Sequence, residues 1–179
     1  MKKALLIGPA PCLIEDLEKI NIEDYDLFCS LNRCYHKTMK DILDKKNIKI
    51  DNYYFSDLMY KIEKNNVESF DSQKKILIAP RKSMIPVVSQ GIYICEHSIV
   101  ETIDFLGEYS QNQWATTGMF ALGHLIFIEK IDFVKICGFS FGEGDLHIYD
   151  NTKLDLKHHS PKKERKIYEH FHKQGKCSI

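Results

Sequence analysis

Three clusters in this 179-residue chain have the side chains and spacing to manage a phosphate and a proton. The first is Thr116-Thr117-Gly118, two hydroxyls and a glycine opening an apolar run. At a helix start, unsatisfied backbone N–H groups and the positive end of the dipole point at one spot, which makes an anion site. The same residues also suit a Thr N-cap followed by a small residue for close packing. The second cluster is the polar stretch after Gly138-Phe139-Ser140-Phe141, which carries Glu143, Asp145, His147, Tyr149 and Asp150. A departing phosphate gathers negative charge, and His147 and Tyr149 are hydrogen-bond donors suited to stabilise it. Glu143-Gly144-Asp145 offers the other route, a divalent cation held by carboxylates. The third is His159, just ahead of Ser160-Pro161 and five positions before Glu164. A helix dipole there favours the neutral imidazole, so His159 can act as a general base. Zinc held by His158 and His159 with His147 or His170 would lack a cysteine or a second regular His spacing.

Other polar residues fall where strands end. Gly8 follows the apolar run Ala4-Leu5-Leu6-Ile7 and opens Gly8-Pro9-Ala10-Pro11-Cys12, either a close backbone approach to a ligand or a Pro-stiffened turn. Asn32-Arg33 and Ser56-Asp57 end the next two strand-like runs. Asn32 can bind a ribose or base and Arg33 a carboxylate, and residues of these types equally cap turns. Neither a G-x-G-x-x-G fingerprint nor a G-x-x-x-x-G-K-[ST] loop occurs. Asp24-Tyr25-Asp26 has metal-binding spacing but precedes its strand, away from a ligand edge.

The elements that must position these residues alternate. Strands are expected at 3–8, 26–31, 52–55, 75–79, 91–95, 133–138 and 176–179, and helices at 14–20, 36–46, 58–66, 98–106, 117–130 and 161–174. The last helix is the best delimited, with Ser160 able to cap it, Pro161 at its first position and an apolar stripe of Ile167, Tyr168 and Phe171. Alternation of this kind implies an α/β fold with a mostly parallel sheet, and the length implies a single domain over 1–179. The acidic and basic residues balance to zero net charge, which disfavours a nucleic-acid partner. The six cysteines form no C-x-x-C pair and read as reduced cytosolic thiols. The apolar run at 119–128 is broken by Gly123 and His124 and is too short to span a bilayer.

Taken in order, these motifs resemble the sialyltransferases, both bacterial glycosyltransferase family 42 and the sialylmotifs of animal family 29. Asn112-Gln113-Trp114-Ala115-Thr116-Thr117-Gly118 resembles the bacterial stretch that binds donor sugar and phosphate, with Trp114 where that motif has Arg. The segment through Gly138 and Phe139 is similar to the rest of the small sialylmotif. His147-Ile148-Tyr149-Asp150 is similar to the short third motif, and His159 with Glu164 matches the H-x4-E very small motif. The first loop departs from the Gly-Asn-Gly-Pro-Ser of the bacterial relatives.

The resemblance implies a single Rossmann-like domain, a sialyltransferase-like variant of the GT-A fold. It implies an inverting, metal-independent enzyme without a cofactor that moves sialic acid, or a related nonulosonic acid, from a CMP-sugar donor to a glycan hydroxyl. His159 would be the base, and His147 and Tyr149 would assist CMP departure. Gly8, Asn32, Ser56, Thr116, Thr117, Gly118, Gly138 and Phe139 would bind the donor. Such an enzyme would be cytoplasmic, serve lipooligosaccharide or capsule biosynthesis, and meet a membrane only peripherally through a glycolipid acceptor. Two other readings compete, the first from enzymes that share the α/β core and the glycine-containing opening, the second from the altered first loop. One is a Mg-dependent pterin diphosphokinase-like or flagellin-modifying transferase-like enzyme, the kinase using Glu143 and Asp145. The other is a non-catalytic nucleotide-sugar binding module.

Overall fold

β1 (Lys3–Ile7) is apolar at four successive positions because both of its faces are covered. Ala4 and Leu6 point into one core and Leu5 and Ile7 into the other. Continuous apolar runs of this kind belong to central strands of parallel sheets. The structure, a computed structural model, describes residues 1–78, 88–95, 115–141 and 159–179. Around β1 stand β2 (Leu27–Leu31), β3 (Asn52–Ser56), β4 (Lys74–Ile78), β5 (Ile92–Cys95), β6 (Phe133–Cys137) and β7 (Cys177–Ser178). They form one seven-stranded sheet in the order β5-β4-β3-β2-β1-β6-β7, and every pairing is parallel.

Helices α1 (Leu13–Glu18), α2 (Lys37–Lys45) and α3 (Asp57–Ser69) cover one face, burying Leu13, Leu17, Met39, Leu43, Tyr60 and Val67. Helices α4 (Thr117–Phe127) and α5 (Pro161–Lys173) cover the other. α4 is buried along nearly its whole length, which accounts for its apolar composition. In α5 only the stripe Ile167, Tyr168 and Phe171, with Glu164, is buried. The chain leaves β1 toward β2 on one side and later returns to β6 on the other. That makes the carboxyl ends of β1 and β6 the switch point where open α/β sheets bind ligands.

All seven expected strands are present, each end within one residue of its expected place. Helix ends differ more. α3 runs on to Ser69 through a non-helical Glu63, because Val67 beyond the polar Asn65-Asn66 is fully buried. α4 stops at Phe127, and Lys130 adopts a left-handed φ of 55° where the run was expected to end. Ser160 does not cap α5 with its side chain; its carbonyl accepts from the N–H groups of Lys163 and Glu164 at 2.9 and 3.0 Å. The expected helix at 98–106 lies outside the described residues. No described helix is long and apolar enough to cross a membrane. All six cysteines are free, and five of them are buried.

α4 is fastened to β3 by a polar contact inside the core, where the Tyr54 hydroxyl lies 3.0 Å from Nδ1 of His124. Burial lowers the pKa of His124 in the folded chain. Below about pH 6.5 the unfolded chain therefore binds the extra proton, and stability falls as the solution is acidified through that value. His124→Gln should flatten this acid-side loss, measured as the difference between the urea-unfolding free energies of the two proteins from pH 7 to pH 5. Tyr54→Phe should cost about 1 kcal/mol at neutral pH for the lost hydrogen bond.

Candidate functional site

At the switch point the backbones that leave β1 and β6 touch. The Gly8 N–H donates to the Cys137 carbonyl at 2.8 Å and the Ala10 N–H to the Gly138 carbonyl at 2.9 Å. Gly138 has a φ of 72°, and a Cβ there would run into the Gly8 carbonyl oxygen. A Cβ on Gly8 would lie 2.5 Å from the Gly138 carbonyl oxygen and 2.7 Å from the Phe139 ring. Only glycine fits at either position. From α1, Asp16 accepts the Gly138 N–H at 2.9 Å, and the Cys12 thiol faces the Phe139 carbonyl at 3.8 Å. Burial and the neighbouring Asp16 push the Cys12 thiol up to about 11, so it stays protonated at neutral pH.

The half-buried Phe139 ring carries this crossing to α4. A Cβ on Gly118 would collide with Cε1 of the ring and lie 2.8 Å from its Cζ. The ring therefore sits against glycines from two different turns, Gly8 after β1 and Gly118 in the first turn of α4. Beyond it, Phe141 has a φ of 48°, uncommon for a bulky side chain, and its ring packs 5.2 Å from that of Tyr168 on α5.

The base of α4 is closed by a carboxylate. Glu164, buried on α5, accepts from the Thr116 backbone N–H at 2.6 Å and from the Thr116 hydroxyl at 2.9 Å. The Thr116 Oγ1 in turn caps α4 by accepting from the Met119 N–H at 3.4 Å. A negative charge at this helix end is favoured by the dipole, yet burial raises the Glu164 pKa to about 7 against the two Thr116 hydrogen bonds that lower it. A folded pKa raised in this way makes the contribution to stability complete below about pH 4.5 and lost as pH rises through about 7. The contact spans 48 residues and holds the start of α5, with His159 just ahead of it, on the same edge of the sheet as the Thr116 turn.

Asn32 and Ser56 stand further along that edge. Asn32, with a left-handed φ of 45°, accepts the Ser56 N–H on Oδ1 at 3.2 Å, and its carbonyl accepts the Tyr53 hydroxyl. These bonds knit the ends of β2 and β3 and leave the Nδ2 group as the part of Asn32 suited to a ligand. The Ser56 hydroxyl caps α3 by accepting the Met59 N–H at 3.2 Å. Arg33 Nε donates to Glu63 at 2.6 Å, and the Tyr35 hydroxyl donates to the same carboxylate. The carboxylate that Arg33 meets is thus one from the protein itself, supplied at the non-helical position of α3.

Of the residues singled out from sequence, Gly8, Gly138, Phe139, Thr116 and Gly118 are brought together, and Thr117 opens α4 beside them. Asn32 follows β2, the strand next to β1, Ser56 ends β3, the strand beyond it, and His159 precedes α5, which Glu164 ties to Thr116. His147, Tyr149, Glu143, Asp145, His158 and Trp114 lie outside the described residues. Asp16 and Glu63 escaped the sequence reading. Each is an ordinary acidic residue on a helix, and its partner is 122 or 30 positions distant. Among the described residues no three His, Cys, Asp or Glu side chains gather as a metal site would require.

The two glycine contacts differ in what blocks them, and this separates their variants. Gly118→Ala should cost about 1–3 kcal/mol by overpacking against the Phe139 ring. Adding Phe139→Ala should make the double variant clearly less unstable than the sum of the singles. Gly8→Ala, blocked by a backbone carbonyl as well as by the ring, should show much less relief. Chemical denaturation of the two double-mutant cycles checks both outcomes.

No family model matches the chain, and no curated protein sequence matches it. Among solved structures the fold is similar to that of a mammalian sialyltransferase, with a TM-score of 0.65 at 15% identity over 99% of this chain and 68% of that one. It is also similar to a mammalian sialyltransferase in complex with Gal-beta-1-3GalNAc-ortho-nitrophenol, with a TM-score of 0.61 at 16% identity and the same coverage. At these identities the likeness is one of fold: this chain has the sialyltransferase-type α/β fold, a Rossmann-like variant of GT-A.

Proposed function

We propose that this protein is a glycosyltransferase that moves sialic acid, or a related nonulosonic acid, from a CMP-sugar donor to a glycan hydroxyl, with inversion and without a metal. The observation that carries the reading is the convergence, on a sialyltransferase-type fold, of Gly8, Phe139 and the Thr116–Gly118 turn at the β1/β6 switch point, tied to the His159 segment through Glu164. The opening of α4 beside that crossing offers N–H donors and the positive end of a helix dipole to the donor phosphate. Gly8 and Asn32 would border the nucleotide, with Ser56 and Gly138 shaping the wall. The specific kinship with bacterial family 42 rests on the motif ending at Gly118, and the neighbour bound to a galactosyl-GalNAc compound favours a glycan acceptor.

In this mechanism His159 removes the proton of the acceptor hydroxyl as its oxygen attacks the anomeric carbon of the donor. The bond from that carbon to the CMP phosphate oxygen breaks, and its electron pair leaves on CMP. His147 and Tyr149 stabilise the charge gathering on the phosphate. Because the donor bond is already labile, positioning and leaving-group stabilisation supply most of the rate. The proposal extends to a cytoplasmic site of action and to membrane contact only through a glycolipid acceptor.

CMP should stabilise the fold in the presence of EDTA, by about 2.7 kcal/mol at a hundredfold excess over its dissociation constant. A thermal shift with Mg-ATP and none with CMP would count against this reading. His159→Ala should abolish transfer while CMP binding persists, whereas His158→Ala should be far milder. Removing either leaving-group donor, by His147→Ala or Tyr149→Phe, should slow turnover by about 10²–10³ with donor affinity nearly intact. Steady-state kinetics beside CMP titrations separate these effects.

A further inference from the structure

A carboxylate that is 5% exposed, with both oxygens hydrogen-bonded to Thr116, stands against the same helix end that the proposed function gives to the donor phosphate. When ionised, Glu164 accepts a hydrogen bond from the Thr116 hydroxyl, so that hydroxyl is directed into the protein. A phosphate drawing on the first N–H groups of α4 would face this buried charge across one residue, and like charges at such a spacing disfavour joint ionisation. The turn has a second arrangement available. A proton on Glu164 Oε2 can be donated to Thr116 Oγ1, which keeps the contact, while Oγ1 still accepts from Met119 and turns its own hydrogen outward as a donor.

We propose that Glu164 couples binding of a phosphate-bearing ligand at the Thr116–Gly118 turn to uptake of a proton from solvent, exchanging a buried negative charge for a hydroxyl donor aimed at the ligand. The inference rests on the proposed donor site and adds its proton linkage. Burial already holds the carboxyl at about 7, so the exchange is available near neutral pH. The described elements nearby bring few competing groups. Thr117, Gly118 and Met119 on α4 and Phe139 and Phe141 on the β6 turn carry no titratable side chain. On the side of α5 the ionisable residues are His159 ahead of it, Lys162, Lys163, Arg165 and Lys166 within two positions of Glu164, and Tyr168 one turn on. Burial raises the Tyr168 phenol to about 12, so it does not titrate in this range.

Calorimetric titration of the intact protein with CMP at pH 7.5, in HEPES and in Tris, measures the linkage. The wild type should take up about half a proton per CMP more than Glu164→Gln does. Gln keeps both contacts, accepting the Thr116 N–H and donating to Thr116 Oγ1, and at pH 8 it should bind CMP several-fold more tightly than the wild type. Should the variant fail to fold, carbon-detected NMR of the wild-type Glu164 carboxyl gives the same answer. Its titration midpoint should rise by about one pH unit when CMP saturates. Equal uptake in both proteins, or a midpoint that CMP leaves in place, overturns the linkage alone. Absence of CMP binding to the wild type overturns the donor-site reading and the linkage with it.

Discussion

The site depends on one steric constraint: two backbones cross at the carboxyl ends of β1 and β6 with no room for a side chain on either. Gly138 faces the Gly8 carbonyl and Gly8 faces the Gly138 carbonyl, and two backbone hydrogen bonds hold them there. The crossing fixes where Phe139 emerges, and the ring then sets how closely the first turn of α4 approaches, because Gly118 lies against it. A β-strand end, a turn and a helix start are thereby held in register by contacts that tolerate little displacement. Asp16 adds a hydrogen bond at the midpoint of this arrangement, so α1 on one face of the sheet helps to place a helix on the other.

The second tie works by charge rather than by shape. Glu164 reaches from α5 to the cap of α4 and satisfies both the N–H and the hydroxyl of Thr116. Placing a carboxylate where almost no water reaches is unfavourable, and the raised pKa is the measure of that cost. What the fold gains is a fixed relation between the helix that would hold a donor phosphate and the segment bearing His159. Arg33 and Glu63 show the contrasting case. They form a half-buried pair that stays ionised and fastens the end of β2 to α3.

Much of the fold was legible because a parallel sheet buried on both faces leaves a simple trace. Ala4 to Ile7 and Ile76 to Ile78 read as buried strands without any tertiary information. Helix ends were less legible because they answer to partners distant in sequence. Val67 extends α3 by being buried, and Ser160 lends α5 its carbonyl instead of its hydroxyl. In the site, glycines and hydroxyls at element ends stood out, since such residues at such places have few uses. Asp16 gave no signal, because an acidic residue on a short helix is ordinary until the Gly138 N–H is known to face it. Glu164 was visible only as the end of a motif. Its burial and its two bonds to Thr116 come from packing across 48 residues.

The central claim is that this arrangement performs glycosyl transfer from a CMP-sugar without a metal. The measurement that meets it most directly is release of CMP from CMP-sialic acid in EDTA, followed by NMR so that the anomeric configuration of the transferred or hydrolysed sugar is read in the same sample. The account predicts steady CMP release in EDTA and a first-formed product of inverted configuration. Turnover that appears only when Mg²⁺ is restored, or a product of retained configuration, would contradict it.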